Sequence, residues 1–325
     1  LKKIGFNKVF DTNFAADLTI IEEGTELLGR IKNGGVLPMI TSCSPGWIRY
    51  CEYNYPDLLG HLSSCKSPHQ MMGAILKTYY AEKNNINPKK MFVVSIMPCT
   101  SKKSEIVRPE MGNDVDAVLT TRELARMIKQ ARINFQAMSD DAQFDQDLLG
   151  EYTGAGVIFG ATGGVMEAAI RTVADIVGDT DLKNVDYVPV RGVEGLKEAQ
   201  VTVGDMTIKV AVAHGTANAK KVMDMIKEGK ADYHFIEIMG CSGGCVCGGG
   251  QPQVSSKELM DTDVRVERAK ALYTEDTLMP QRKSHKNSQV MKLYEDFLGE
   301  PNGQRSHRLL HTHYSPKEKY PVKSK

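Results

Sequence analysis

Three cysteines and six glycines are concentrated in the sixteen residues from Glu237 to Pro252, which read EIMGCSGGCVCGGGQP and follow an apolar run. Thiolates are the preferred protein ligands of iron–sulfur clusters. Glycines let main-chain amides approach cluster sulfurs and adopt positive φ angles without steric cost. This segment therefore predicts an iron–sulfur site. A zinc site or a redox dithiol is the alternative that the segment alone leaves open.

Two further cysteines, Cys43 and Cys99, each lie just after a segment typical of a buried strand, as Cys241 does. The three predicted strands span residues 35–40, 91–97 and 233–239. In open α/β sheets, ligands collect at the carboxyl ends of the strands. We therefore expect these three cysteines to share one site.

The rest of the chain alternates between helical and extended patterns. Helices are predicted at residues 17–33, 45–59, 68–85, 120–133, 165–177, 216–228, 263–275 and 288–298. A short edge strand is predicted at 187–190 and a hairpin at 201–212, turning at Gly204-Asp205. The alternation predicts an α/β fold with open, mostly parallel sheets flanked by helices, and a C-terminal helical extension.

Composition excludes several classes of protein. The chain has 325 residues, 41% of them hydrophobic, which is enough for a sizeable core in one large or two moderate domains. A net charge of +1 gives no field for nucleic acid, and no run of about 18 apolar residues predicts a membrane span. Seven cysteines, an odd number without a secretion signal, argue against a disulfide framework. The start at Leu1 is interpreted as a fragment boundary.

Other suggestive features have simpler interpretations. The glycine-rich segment 154–164 lacks the dinucleotide fingerprint, because Phe159 stands where a glycine is required, so close backbone packing is favoured. Cys51 and Cys65 are interpreted on local sequence as buried structural thiols. The C-terminal histidines are interpreted as solvated or hydrogen-bonding side chains rather than metal ligands; they are His285, His307, His311 and His313.

Three motifs resemble the signatures of the FeFe-hydrogenases. The segments 41–47 (TSCSPGW), 97–105 (MPCTSKKSE) and 237–252 are similar to T-S-C-C-P-x-W, M-P-C-x-x-K-x-x-E and E-x-M-x-C-x-x-G-C-x-x-G-G-G-Q-P, in the same order. The resemblance implies a large H-cluster domain at 1–252, partial at its N-terminus, with the cluster between two lobes. It also implies a small-subunit-like helical wrap with a basic tail at 253–325.

By resemblance, the cofactor is an H-cluster: a 4Fe-4S cubane joined through a cysteine sulfur to a diiron unit with CO, cyanide and an azadithiolate bridge. The implied cubane ligands are Cys99, Cys241 and Cys245, with Cys245 also bridging to the diiron unit. Lys102 would donate a charge-assisted hydrogen bond to a cyanide. The other cofactor-binding residues that the resemblance implies are Met97, Met239, Phe159, Val165, Ser67 and Pro98.

The family's proton relay also has counterparts. Cys43 would exchange a proton with the bridge amine, and the positions leading on to solvent are Glu23, Ser63, Glu26 and Arg30. Glu23 and Glu26 are three residues apart on one predicted helix and so lie on one face. Without the resemblance, two such glutamates would be interpreted as a solvated face.

One departure from the family pattern concerns the cubane itself. The family has two adjacent cysteines in the first signature, but the second position here is Ser44. A hydroxyl is a harder ligand than a thiolate. Either Ser44 ligates through oxygen, or Cys43 moves to the cubane, or a nearby cysteine such as Cys65 or Cys247 substitutes.

The resemblance implies reversible oxidation of H2 and reduction of protons. The alternative is a noncatalytic relative, either an Fe-S assembly factor or an H2 sensor. No N-terminal ferredoxin-like C-x-x-C-x-x-C pattern is present, so electrons are expected from a ferredoxin or a cluster-bearing sister subunit. Hydrogenase maturation proteins are the other expected partners, and the cytoplasm of an anaerobic prokaryote is the expected location.

Overall fold

The computed structural model describes residues 1–139, 141–178, 185–203 and 206–319. Its α-helices are α1 (Asn13–Asn33), α2 (Pro45–Asn54), α3 (Pro68–Ile75), α4 (Ala81–Lys83), α5 (Lys102–Glu105), α6 (Thr121–Gln130), α7 (Gly154–Val157), α8 (Gly164–Gly178), α9 (Thr216–Lys227), α10 (Ser256–Asp261), α11 (Val264–Leu278), α12 (Ser288–Leu293) and α13 (Gln304–Leu310). Its strands are β1 (Met39–Ile40), β2 (Val94–Met97), β3 (Ala117–Thr120), β4 (Leu196–Val203), β5 (Met206–His214) and β6 (Phe235–Met239).

The larger sheet has the strand order β1-β6-β5-β4. Strand β6 pairs in parallel with both β1 and β5, whereas β4 and β5 form an antiparallel pair. All five residues of β6 are buried, as expected for a strand covered on both faces. Because β1 and β6 are parallel neighbours, the loops that carry Cys43 and Cys241 leave the same edge of this sheet.

A second sheet brings Cys99 to the same place. Strands β2 and β3 pair in parallel, with Met97 opposite Thr120. The loop after β6 docks on the loop after β2, since the Gly250 amide donates to the Pro98 carbonyl at 2.8 Å. The carboxyl ends of the two sheets therefore meet, and the expected shared site lies where they meet.

Helix α1 lies at the centre of the molecule. Ile20 and Leu27 belong to one apolar core with α8 and the larger sheet, whereas Leu18 and Ile21 belong to a second core with α3 and the C-terminal segment. A helix buried on two sides has little room for a solvated face. Glu22 and Glu23 are consequently buried rather than exposed.

The C-terminal segment packs on the rest of the chain through both apolar and ionic contacts. Val290, Leu293 and Leu310 are fully buried in the core they share with α1 and α3. The guanidinium of Arg171 in α8 pairs with Asp276 of α11 at 2.8 Å, and neither side chain is exposed. Buried charges require such pairing, so this contact fixes α11 against α8.

Most predicted elements are confirmed, with shifted ends. The predicted helices at 165–177, 216–228 and 263–275 correspond to α8, α9 and α11. The capping box is present, because the Thr120 and Glu123 side chains each bond the other's backbone amide. The hairpin is confirmed as β4 and β5, and its turn at Gly204-Asp205 lies outside the described residues.

Two predicted strands are wrong or shortened, and proline is the reason in both. Only Met39–Ile40 of the strand predicted at 35–40 pairs, because Pro38 just before it has no N–H to donate. The strand predicted at 187–190 is a 3-10 turn, Val188–Val190, in which Pro189 fixes φ and removes a donor.

Other boundaries move for related reasons. The helix predicted at 45–59 ends at Asn54, and a 3-10 turn, Pro56–His61, follows, because a residue before proline is disfavoured in a helix. The helix predicted at 68–85 continues from α3 through a π-turn, Leu76–Tyr80, into α4. The sequence analysis missed β3, α5, α7, α10 and α13, which are short. No helix in the described ranges combines the length and apolarity needed to cross a membrane.

Candidate metal centre

The thiols after β2 and β6 face one another. Burial raises the pKa of Cys245 to about 12, and the next contribution comes from Cys99. Burial also raises the pKa of Cys241, again with Cys99 next. Such mutual effects require the sulfurs to be close, so the structure brings together the three cysteines that the sequence grouped as cluster ligands.

The spacing of these thiols argues against a single metal ion. Among the described residues, Cys99, Cys241 and Cys245 do not form a group with all ligand atoms within 4.8 Å of one another. Around one tetrahedral zinc, with Zn–S near 2.3 Å, sulfurs lie roughly 3.8 Å apart. Thiols spaced more widely than this would suit a polynuclear iron–sulfur cluster better than one zinc ion.

Glycines allow the cysteine-rich loop to lie flat against the loop after β2. A Cβ atom on Gly248 would lie 2.2 Å from the Pro98 carbonyl oxygen, and one on Gly250 would lie 2.9 Å from the Pro98 carbonyl carbon. Neither position can accept a side chain without moving backbone. Pro98 therefore acts through its backbone, as the floor of this loop.

Three arginines hold the same loop from outside. Arg122 donates to the Gly249 carbonyl at 2.7 Å, and Arg268 donates to the Val246 carbonyl at 2.9 Å. Arg265 donates to the Ser242 hydroxyl at 3.1 Å. The loop is thus fixed by side chains from α6 and α11, without a regular structure of its own beyond a short 3-10 turn.

An apolar wall lies next to the thiols. Met239 and Val165 are buried in the core of α1, α8 and the larger sheet, and Cys43, Phe159 and Cys245 pack against the same core. Met97 is half-buried at the end of β2. The resemblance assigns these methionines, Phe159 and Val165 to the surroundings of a diiron unit. The structure places Met239, Phe159 and Val165 on one apolar surface with Cys245, and Met97 two residues before Cys99.

Ser44 lies beside the loop that carries Cys241. It occupies the N-cap position of α2, but its hydroxyl makes no cap bond. Instead its Oγ accepts a hydrogen bond from the Gly240 amide at 3.1 Å. The oxygen at position 44 therefore lies beside the backbone that leads into Cys241.

Lys102 is buried and makes two contacts. Its Nζ donates to the Cys43 carbonyl at 2.9 Å and to Glu105 Oε2 at 3.0 Å. Glu105 also accepts from His69 Nε2 at 2.5 Å and from the Ser67 hydroxyl at 3.0 Å. Burial alone would raise the pKa of Glu105, but Lys102 and His69 outweigh burial and hold it at about 2. This network fixes the Lys102 ammonium beside Cys43. Ser67 contributes to it through its hydrogen bond to Glu105.

The predicted relay residues are connected. Ser63 Oγ donates to Glu26 Oε2 at 2.9 Å, and Glu26 accepts from the Arg30 guanidinium at 2.7 Å. Glu23 lies beside Ser63, and after burial its charge is the next cause of the raised pKa of Cys43. Hydrogen bonds therefore join Ser63, Glu26 and Arg30, and Glu23 and Cys43 lie next to them in the predicted order.

Burial affects both residues at the inner end of this row, Glu23 and Cys43. Burial raises the pKa of Glu23 to about 8, and the nearby Glu26 charge raises it further. Glu23 Oε2 has no hydrogen-bond partner. Burial, and then the Glu23 charge, raises the pKa of the Cys43 thiol as well. Both groups therefore carry a proton near neutral pH, and the pKa of Glu23 is close enough to that pH for it to exchange one.

The remaining thiols are distributed differently. Cys51 is fully buried in an apolar core beneath α2, which agrees with its predicted structural role. Cys65 is also buried, but its Sγ lies 3.8 Å from Glu26 Oε2, beside the relay rather than the cluster thiols. Cys247 is half-buried, and it is one of the groups that raise the pKa of Cys241 after burial.

Two polar residues of the site escaped the sequence analysis. Glu237 is fully buried, and its carboxylate accepts from the Gly163 and Met166 amides at 2.6 and 2.8 Å, at the start of α8. A glutamate inside an apolar strand was a signal for such a role. His69, by contrast, gives no local signal, because only the fold brings it to Glu105.

Family comparisons agree with this geometry. A family model described as the iron-only hydrogenase large subunit, C-terminal domain, matches residues 1–249, and one described as the iron hydrogenase small subunit matches residues 262–317. The chain belongs to the iron-only hydrogenase family. Membership implies iron–sulfur cofactors, including an H-cluster, and it confirms the resemblance found in the three motifs.

The relatives of this chain include hydrogenases and Fe-S cluster assembly factors. Iron hydrogenase 1 of Clostridium pasteurianum is 49% identical over 318 residues, which cover 97% of this chain and 55% of that protein. The cytosolic Fe-S cluster assembly factor narfl of Xenopus tropicalis is 31% identical, over 98% of this chain and 68% of that protein. This chain spans about half the length of the Clostridium relative.

A solved structure shares the fold. The [FeFe]-hydrogenase HydA(deltaEFG), described in connection with stepwise H-cluster assembly, matches with a TM-score of 0.82 and 41% identity, over 96% of this chain and 85% of that one. The predicted α/β fold with short parallel sheets is thereby confirmed.

Proposed function

We propose that this chain catalyses reversible H2 oxidation and proton reduction at an H-cluster. The observation that carries this proposal is the row of Cys43, Glu23, Ser63, Glu26 and Arg30 beside three convergent cysteines, with hydrogen bonds joining the row from Ser63 outward. A protein that only stored or assembled a cluster would not need a proton path to it. The supporting relatives are hydrogenases at 49% identity.

Cys99, Cys241 and Cys245 would hold the cubane, and Cys245 would also lie nearest the diiron unit. When bound, the H-cluster supplies the redox chemistry and the site at which protons and electrons combine. The CO, cyanide and azadithiolate ligands belong to this proposal, since the family implies them. Phe159, Val165, Met97 and Met239 exclude water from that part of the pocket.

The chain's own residues handle protons and charge. The Cys43 thiol delivers a proton toward the pocket and takes one from Glu23, whose pKa of about 8 suits exchange near neutral pH. Ser63 passes the proton between the two glutamates, and Arg30 holds Glu26 at the outer end. Lys102 presents a cation to an anionic ligand of the diiron unit, with Glu105 fixing its direction.

Position 44 supplies the fourth cubane ligand in our proposal, through the serine oxygen. Two observations favour Ser44 over Cys43. The Ser44 hydroxyl contacts the amide directly before Cys241, whereas the Cys43 thiol packs in the apolar core and feels the Glu23 charge. Cys65 contacts Glu26 and is not a candidate on this geometry.

Anaerobic reconstitution tests the proposal as a whole. The chain is loaded with a 4Fe-4S cluster and then with a synthetic diiron precursor, and infrared spectra are recorded in the CO and cyanide region with an H2 assay. We expect both sets of bands and H2 evolution from a reduced viologen. Absence of the bands, or zinc bound by Cys99, Cys241 and Cys245 in place of iron, would overturn the proposal.

Electron paramagnetic resonance tests position 44 separately. The cubane-only form of Ser44→Cys should show altered g values and a shifted midpoint potential, because thiolate replaces oxygen on one iron. Ser44→Ala should lose that iron on oxidation and give a 3Fe-4S signal. Cys247→Ala is the matched control, and a change there instead would assign the fourth ligand to Cys247.

A noncatalytic role is the second candidate function, because Ser44 departs from the family pattern and narfl is an Fe-S assembly factor. A cluster that forms without H2 activity in wild type, and gains activity in Ser44→Cys, would favour this role.

A ferredoxin or cluster-bearing sister subunit is the proposed electron partner, with maturation proteins supplying the diiron unit. Cytoplasmic location stays a prediction.

A further inference from the structure

A second group of metal-ligating side chains lies beside the relay, away from the cysteine loops. Glu26, Cys65 and His311 each offer one ligand atom, and the three atoms lie within 4.8 Å of one another. Within the described ranges, this is the one group of three His, Cys, Asp or Glu side chains with such spacing. Nothing in the proposed reaction uses Cys65 or His311.

The backbone holds two of these ligands in place. Cys65 and His311 face each other across an isolated antiparallel bridge. The bridge is closed by bonds from the Lys66 amide to the Leu310 carbonyl at 2.8 Å and from the Thr312 amide to the Ser64 carbonyl at 2.7 Å. The imidazole and the thiol therefore keep their separation without help from a ligand.

The third ligand is fixed by hydrogen bonds. Both oxygens of Glu26 accept from the Ser64 amide, at 3.2 and 3.1 Å. The His311 ring is held at both nitrogens, with Nδ1 2.8 Å from the Ser64 hydroxyl and Nε2 2.9 Å from Glu22 Oε2. These bonds fix the positions of the three side chains, and one ring nitrogen of His311 would exchange its present partner for the ion.

Local charge favours a cation here. Glu22, Glu23 and Glu26 project from two turns of α1, and Glu22 and Glu23 are buried. Arg30 is paired with Glu26 and also donates to backbone carbonyls, such as that of Leu62 at 2.7 Å. Glu22 accepts hydrogen bonds from Tyr294, Asn302 and His311, so its carboxylate lies directly beside the group. Two carboxylates next to a thiol and an imidazole favour a divalent cation over an anion at this place.

We propose that Glu26, Cys65 and His311 bind one zinc-class divalent cation, and that the bound ion closes the proton relay at Glu26. One carboxylate, one thiolate and one imidazole form a three-residue ligand set of the kind that zinc takes together with water. Binding forms a metal–sulfur bond and releases the thiol proton to solvent. Because the ion holds the Glu26 carboxylate in its ionised form, Glu26 can no longer take up a proton and the relay is interrupted there.

Zinc binding is measured on the cubane-loaded chain, so that the cluster cysteines are already occupied. Equilibrium dialysis should give one zinc per chain, and zinc-edge X-ray absorption should show one sulfur near 2.3 Å with nitrogen or oxygen near 2.0–2.1 Å. Cys65→Ala and His311→Gln should each weaken binding at least about 100-fold, because each removes a ligand. Cys51→Ala and His313→Ala are the matched controls and should bind like wild type.

Two results would overturn the site. One is zinc coordinated by two or more sulfurs; the other is zinc binding that is absent in wild type or undiminished in both ligand variants. If Cys65→Ala fails to fold, His311→Gln decides alone. These readouts do not depend on H2 activity, so they stand even if the proposed function fails.

The inhibitory role rests on the proposed function and has its own test. In the fully loaded enzyme, zinc should reduce H2 evolution in wild type and in Cys51→Ala but not in Cys65→Ala. Inhibition that persists in Cys65→Ala, or bound zinc without inhibition in wild type, would contradict closure of the relay.

Discussion

Two buried glutamates near Cys43 show how neighbours decide the role of one side-chain type. Glu105 accepts hydrogen bonds from Lys102, His69 and Ser67, and its pKa is held at about 2. Glu23 is equally buried but lies near Glu26, and its pKa is raised to about 8. The first carboxylate keeps its charge and positions a cation. The second can gain and lose a proton near neutral pH, as a relay requires.

The largest effect in this comparison should come from removing the cation that Glu105 holds. Lys102→Met leaves a buried carboxylate with only His69 and Ser67, which should cost about 3 kcal/mol of the free energy of unfolding. Urea denaturation of the cluster-free chain measures this. Lys103→Met is the control, because Lys103 pairs with Glu123 at the surface, and it should change stability little. Equal losses in both variants would contradict the importance of burial.

Acid should destabilise the chain through Glu105. Its folded pKa of about 2 lies below the ordinary 4.5, so the stability it contributes is present above pH 4.5 and is lost as pH falls through 2. The loss should be roughly 3 kcal/mol. Urea titrations from pH 6 to pH 2 should therefore be flatter for Glu105→Gln than for wild type. If the two curves ran parallel, the pH-dependent stability would not come from Glu105.

Glu23 should behave in the opposite way. Because its folded pKa is raised from 4.5 to about 8, its ionisation lowers stability as pH rises through that range, and Glu23→Gln should remove this slope. H2 evolution by the loaded variant should fall at least about 100-fold, because an amide cannot relay a proton. Unchanged infrared bands would show that the cofactor is intact. Near-normal turnover would mean that protons travel by another route.

The smallest expected effects come from two serines, Ser67 next to Glu105 and Ser63 next to Glu23. Ser67→Ala removes one bond to Glu105 and should cost about 1 kcal/mol of stability with little change in turnover. Ser63→Ala should cost a similar amount but also reduce turnover at least about tenfold, since it breaks the link to Glu26. Measured together, the pair distinguishes positioning from proton transfer, and matching turnover losses would remove the distinction.

Much of the fold follows from strong local signals. Helices α8 and α9 have clear apolar periods, and the Thr120–Glu123 capping box is a local arrangement that the structure reproduces. The strands before Cys99 and Cys241 were recognised because their residues are apolar and turn residues follow. Predictions failed at Pro38 and Pro189, where the missing N–H outweighs an apolar pattern.

The residues of the site also fall into two sets, those that the sequence could group and those that only the fold brings together. The cysteines after β2 and β6 could be grouped from sequence, because parallel strands present their carboxyl ends on one edge. The positions of Cys65 and Cys247 could not, since nothing local distinguishes a thiol beside Glu26 from one beside Cys241. His69 and His311 likewise acquire partners only through contacts distant in sequence.

By itself, the sequence determined the family, the three cysteine motifs and the substitution of Ser44, because these are written in residue types and short spacings. The tertiary structure alone decided which buried glutamate is charged, where Ser44 points and which thiols stand apart from the cluster. A pKa or a ligand set depends on groups brought together from α1, the two sheets and the C-terminal segment. Those distances are properties of the packed chain rather than of any local pattern.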